Sequence, residues 1–142
     1  MIEGPVIVVH TLAHAVGALT AAAQAGRPVV LISAPDAGGY AGPGWFAALV
    51  AAAREAVPAA QPSSFLDCGE SAGAALAAMR AGVEGVLFTG RAEVASRLAD
   101  IARQHAVRFE TSRPSCALDL GDDFFASVEE AERRCRALFQ KN

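Results

Sequence analysis

Asp67 and Cys68 stand side by side in Phe65-Leu66-Asp67-Cys68-Gly69, a short apolar run that brings an acid and a thiol to a strand end just before a helix. This pairing could set a catalytic acid/base beside a metal ligand, because a cysteine thiolate binds zinc. Each residue also has a plainer role. A carboxylate here can cap the next helix by accepting from its first amides, and a free cysteine usually behaves as a small hydrophobe. His10 falls at the end of an earlier strand and Thr89 at the end of a later one, on the same edge. A pocket shared by His10, Asp67, Cys68 and Thr89 is therefore expected at the C-terminal strand edge, where α/β proteins bind ligands.

A second candidate is the loop from Asp36 to Gly44, which holds four glycines and Pro43 ahead of a helix. Helix-start amides could hold an anion there. The loop lacks the Lys-Ser/Thr ending of a P-loop and the dinucleotide fingerprint, so a flexible connection is the plainer reading. Tyr40 and Trp45 would flank a ligand in this loop, though Trp45 could equally anchor the core. His14 is expected to face solvent on a first helical turn. His105 ends a later helix, where an imidazolium suits the dipole.

The elements that must position these residues alternate regularly. Strands are expected over Pro5–Val9, Pro28–Ser33, Ser64–Asp67, Gly85–Phe88 and Val107–Glu110. Helices are expected over Leu12–Ala25, Trp45–Val57, Ser71–Arg80 and Arg91–His105, with Gly26 and Gly82 as stops. Five βα-type units in series, with strands apolar throughout, imply a parallel sheet buried on both faces. The spacing leaves a half-barrel or a rewound open sheet equally available.

The tail reads differently. An irregular linker is expected over 111–121 and an amphipathic helix over 122–140, with Asp122 and Asp123 at its start. Phe124, Phe125, Val128, Ala131, Cys135, Leu138 and Phe139 share one stripe. Glu129 and Glu130 stand four residues before Arg133 and Arg134, which supports the opposite face. The stripe must dock on something apolar. Taken together the 142 residues read as one α/β domain.

Composition narrows the partners. A 53% hydrophobic content suffices for a real core, and a formal net charge of -3 with 12 basic residues argues against a nucleic-acid surface. No apolar run approaches the roughly 18 residues of a membrane span, and no signal-peptide pattern opens the sequence. Three cysteines without paired spacing imply a reducing cytoplasm.

From about Val6 to Glu110 the sequence resembles the amino-terminal half of class II, metal-dependent ketose-bisphosphate aldolases of the fructose/tagatose type. Leu31 to Gly42, ending in Tyr40-Ala41-Gly42, is similar to the family's second strand and its loop. Leu66 to Gly69 is similar to its Leu-Asp-His-Gly. Met79 to Gly90 is similar to its Arg-Ala-Gly helix end and fourth strand. The resemblance implies a partial TIM barrel, with Asp67 as the acid/base residue, and it marks Tyr40, Gly42, Thr89 and Gly90 as ligand-binding positions. It puts Cys68 where the family has a metal-binding histidine, Ala34 on a phosphate-binding serine, Thr89 on an aspartate, and Glu110 and Ser112 on paired acids.

A full barrel takes about 250 residues, and these βα units reach only the fifth strand. A catalytic zinc usually needs three protein ligands. Cys68 and Glu110 supply at most two. The expectation is a degenerate aldolase-like domain without aldolase activity or cofactor, binding a phosphorylated small molecule or acting in regulation, and forming a homodimer. The alternatives are a zinc- or other metal-dependent lyase that pools His10, Cys68 and Glu110 across a dimer, and a protein-binding module built on Phe124, Phe125 and Phe139.

Overall fold

The computed structural model describes residues 2–140. The chain divides into two compact units, one made of Met1–Ile32, Leu49–Ser63 and Ser115–Asn142, the other of Ser33–Ala48 and Ser64–Pro114.

In the first unit, β1 (Val6–Val8) is fully buried and pairs in parallel with β2 (Pro28–Ile32), Ile7 lying opposite Leu31. Continuous β-branched runs suit strands covered on both faces. The connecting helix α1 (Leu12–Ala25) starts where the Thr11 hydroxyl accepts from the His14 amide. It stops at Gly26, whose left-handed backbone (φ 65°) lets its N–H reach back to Ala22 and Ala23.

The expected linker over 111–121 contains a strand instead. Strand β6 (Leu118–Asp119) pairs in parallel with β1, Ile7 opposite Leu118 and Val8 opposite Asp119, and Ala117 N–H donates to the Val6 carbonyl. Two residues carry no strand periodicity of their own, so the pairing with β1 makes them a strand.

The last helix also starts later than Asp122. A 3-10 turn spans Leu120–Asp123 with the Asp119 side chain capping it, and α6 (Val128–Phe139) begins after Ser127. Ser127 and Glu130 satisfy each other's amides in a capping box, so Glu130 serves the cap rather than Arg134. Arg134 pairs with Asp122 instead. The expected stripe is therefore split. Ala131, Cys135 and Phe139 are buried, whereas Phe124 and Phe125 precede the helix and are 49% and 92% exposed.

Helix α6 packs on α1 at close range. A Cβ on Gly17 would lie 2.6 Å from the Ala131 Cβ, 2.7 Å from Glu132 N and 2.8 Å from the Val128 carbonyl. Only a residue without a side chain lets the two backbones approach this far.

The second unit holds the end of β3 (Gln61–Asp67), a strand that begins earlier than Ser64, and there β3 pairs with β4 (Gly85–Leu87), Leu66 opposite Val86. Strand β4 pairs in turn with β5 (Arg108–Glu110), Val86 opposite Phe109. Helix α4 (Ala72–Ala81) is capped by Ser71 and ended by Gly82, and α5 (Ala92–Gln104) ends at His105. The glycine-rich loop after β2 is partly ordered, with a single turn α2 (Ala37–Tyr40) before α3 (Pro43–Ala56). Pro43 opens α3, where its missing amide hydrogen costs nothing. Trp45 is partly exposed rather than a core anchor, while its neighbour Phe46 is buried.

The strands are all parallel and run in the order β5-β4-β3-β2-β1-β6, with β5 and β6 outermost. The class is α/β, and the sheet is open. No helix among the described residues is long and apolar enough to cross a membrane.

Candidate functional site

Asp67 ends β3 and is 4% exposed. Ser33, fully buried, receives the Asp67 amide on its hydroxyl oxygen at 2.9 Å. The carboxylate itself is held from three directions. Asp67 Oδ1 accepts the Gly69 amide at 2.8 Å and the Asp36 amide at 3.2 Å. Both donors lie in the left-handed region, Gly69 at φ 58° and Asp36 at φ 62°, a conformation that glycine and aspartate tolerate best. Asp67 Oδ2 accepts from Arg113 Nη1 at 2.7 Å, while Arg113 Nη2 donates to the Ser33 carbonyl at 3.1 Å. The guanidinium thus bridges the ends of two chain segments and neutralises a buried carboxylate.

Cys68 is buried beside it. Its thiol donates to the Leu66 carbonyl at 3.7 Å, and a Cβ on Gly38 would come within 2.9 Å of Cys68 Sγ. Burial, reinforced by the Asp67 charge, pushes the thiol up to about 12. It is a protonated thiol at neutral pH. Thr89, exposed beyond β4, donates its amide to the Gly69 carbonyl at 2.8 Å, and the Glu110 carbonyl receives the Phe88 amide. Tyr40 is 70% exposed, and nothing approaches the Cβ position of Gly42. Gly90 lines a pocket of about 510 Å³ together with Ala95, Ser96, Ala99, Phe109 and Thr111. Of the predicted residues, Asp67 and Cys68 adjoin one another, with Thr89 tied to their loop through Gly69.

His10 belongs to the first unit, where its partner is Asp119. Adjacent strand ends bring His10 Nε2 to 2.8 Å from Asp119 Oδ1. Beneath it lies His14, fully buried rather than facing solvent. His14 Nδ1 accepts the His10 amide at 3.1 Å, so the ring proton sits on Nε2, which donates to the Asp123 carbonyl at 3.0 Å. Phe124 packs edge-on against His14 at a 6.2 Å centroid distance.

This neutral ring sets a pH dependence. Burial above all, with the nearby His10 adding to it, lowers the His14 pKa below its ordinary 6.5. The unfolded chain therefore binds the additional proton first, and stability must fall as the pH drops through 6.5. One proton accounts for at most about 1.4 kcal/mol per pH unit. Urea denaturation between pH 8 and 5 is expected to show this slope, and His14→Asn to flatten it. Asp122 and Glu130, both lowered by hydrogen bonds from Arg134 and Ser127, contribute only in the more acidic carboxylate range.

No protein-family model and no curated protein matches the sequence. Solved structures do match. The YdjI aldolase from Escherichia coli K12 aligns with a TM-score of 0.62 over 77% of this chain and 44% of its own, at 14% identity. A proposed fructose-1,6-biphosphate aldolase from Coccidioides immitis aligns with a TM-score of 0.64 over 99% of this chain and 53% of its own, at 16% identity. The chain shares its fold with about half of each of these aldolase structures. It spans about half the length of these structures, and at such identities the likeness concerns the fold alone.

The metal implied by the sequence resemblance meets an unsuitable donor set in this chain. No three His, Cys, Asp or Glu side chains gather as a ligand group among the described residues. Cys68 is buried with its thiol donating to the Leu66 carbonyl, and among the described residues it stands in no such group of ligand side chains. The residues present do not fit a catalytic zinc.

Sequence reasoning missed Arg113 and Asp119, the partners of Asp67 and His10. Arg113 follows the outer strand β5 and Asp119 ends the outer strand β6, each at a large sequence separation from its partner, 46 and 109 residues respectively. The available signal for Arg113 was a basic residue just past a strand end, bounded by Pro114, in a chain with an acid at another strand end.

Proposed function

We propose that this aldolase-fold domain binds a small phosphorylated or otherwise anionic molecule at its C-terminal strand edge, in a binding or regulatory role, and does not carry out metal-dependent aldol cleavage. One observation carries the reading. Asp67, which the sequence resemblance sets at the family's acid/base position, has its carboxylate occupied by the Gly69 and Asp36 amides and by Arg113. A general base must be able to reach a substrate proton, within hydrogen-bond distance. This carboxylate spends its oxygens on holding the loop and the guanidinium.

The test is an aldol-cleavage assay with fructose and tagatose bisphosphates, with and without added zinc, alongside thermal denaturation. No turnover is expected, and EDTA should leave the melting temperature unchanged. Phosphorylated sugars should raise it, since a ligand that binds only the native state stabilises it. Zinc-dependent cleavage that disappears in Cys68→Ala would instead establish the lyase.

Phe125 favours a second reading, since a phenyl ring 92% exposed next to a half-exposed Phe124 offers an apolar contact for another protein. A second copy of this chain is the simplest such partner. Light scattering should then show a dimer that Phe125→Ser dissociates, and a monomer throughout would remove this reading. Three cysteines with no disulfide between them support residence in a reducing compartment such as the cytoplasm.

A further inference from the structure

A guanidinium carries five N–H groups, and in Arg113 one goes to Asp67 and one to the Ser33 carbonyl. Nε makes neither bond. No buried side-chain nitrogen or oxygen among the described residues lacks a partner, so Nε is reached by solvent, in keeping with a side chain 24% exposed. Both Nη atoms are thus held by acceptors from its own unit, and Nε, with the second hydrogen of each Nη, is not used by these bonds. The backbone geometry makes this arrangement rigid. Asp67 cannot swing away from Arg113 without abandoning the Gly69 and Asp36 amides, and Arg113 Nη2 is tied to a main-chain carbonyl.

We propose that Arg113 is an oxyanion anchor, with its outer edge taking the phosphate or carboxylate group of a small ligand and Asp67 acting as the positioning residue that aims it. The inference rests on the small-anion reading given above and supplies the residue and the chemistry. A preorganised planar fork suits a tetrahedral or planar oxyanion in a two-pronged contact, a geometry that lysine cannot reproduce. Because Asp67 cancels much of the guanidinium charge, the ligand is held largely by directed hydrogen bonds. Binding of a bare anion is correspondingly weak.

This arrangement predicts effects of opposite sign at two touching residues. Titration of the full chain with inorganic phosphate, and separately with acetate, is followed through the Arg113 Nε–H nuclear magnetic resonance signal and through backbone amide shifts. Phosphate is expected to move the Arg113 signal saturably, and acetate shows whether a carboxylate serves equally. Arg113→Gln should weaken phosphate binding by about tenfold or more, a loss of the size that a charged hydrogen-bonding partner commands. Asp67→Asn removes the counter-charge and, with its oxygen kept by the two amides, turns an N–H2 group toward Nη1, so the guanidinium is released as an unpaired cation and phosphate binding should tighten by about tenfold. A purely structural ion pair would weaken binding in both variants or in neither. Should Arg113→Gln fail to fold, the tightening in Asp67→Asn still decides the matter. Sugar-phosphate binding with an unmoved Arg113 signal, or with no gain in Asp67→Asn, overturns the anchor while leaving the small-molecule reading intact. The absence of any anion or sugar-phosphate binding by the folded wild type overturns both.

Discussion

Arg113→Leu should cost about 3–5 kcal/mol of folding stability, the usual consequence of removing one partner from a buried ion pair. The Asp67 side chain is only 5% exposed, and leucine would leave its charge facing an apolar group with no counter-ion. The two amides on Oδ1 would persist, but the acceptor capacity of Oδ2 and the link to Ser33 would be lost. A total stability of about 5–15 kcal/mol makes this a large fraction. Urea or guanidinium denaturation gives the value directly. The double variant Asp67→Asn with Arg113→Leu should recover part of the loss, because its neutral amide no longer demands a cation. A double variant no more stable than Arg113→Leu alone would place the cost in lost packing instead.

Gly17 yields the second large effect, and here two principles predict opposite signs. Helix propensity alone favours Gly17→Ala by about 1 kcal/mol, since glycine inside a helix is entropically costly. The structure opposes it, because the added Cβ would stand 2.6–2.8 Å from Ala131, Glu132 and Val128. Two of those three contacts are backbone atoms of α6 and cannot turn aside. Overpacking of this kind costs about 1–3 kcal/mol, so Gly17→Ala should be net destabilising and Gly17→Val more so. Thiol labelling offers a second readout. Cys116 is exposed, whereas Cys135 lies buried in α6 with its thiol pushed up to about 12 by that burial. Displacement of α6 should therefore make Cys135 reactive in Gly17→Val while it stays protected in the wild type.

The parts of the fold that could be read from sequence are those whose cause is local. Val29-Val30-Leu31-Ile32 declares a strand buried on both faces, and Gly26 and Gly82 end helices through a left-handed backbone that few other residues adopt. Leu118-Asp119 declares nothing, because its extended form is set by β1, more than a hundred residues earlier. The last helix shows the same division. Its periodicity is legible from Val128 onward, but Asp122 and Asp123 resemble a helix start closely enough to conceal the capping box at Ser127 and Glu130.

The site follows a similar rule. Asp67 could be located because an apolar run ends on it, and Cys68 because it adjoins Asp67. What each does depends on groups that share no sequence neighbourhood with it. Arg113 decides whether Asp67 is a free carboxylate, and the apolar surroundings decide whether Cys68 is a thiolate. His14 illustrates the converse, since a histidine one turn into a helix reads as solvated until the Asp123 carbonyl is seen to receive its proton.

Strand β6 carries one more consequence, which concerns time rather than geometry. Its pairing joins residues 7 and 8 to residues 118 and 119, so β1 cannot gain its second neighbour until nearly the whole described chain has been synthesised. The second unit draws on two stretches that end at Pro114, and every residue it needs exists before Leu118 is made. On a ribosome adding roughly 5–20 residues per second, the unit containing β1 is thus the later one to be completed. Until then the outer edge of β1 is an unpaired row of amides and carbonyls, the kind of template on which newly made chains associate.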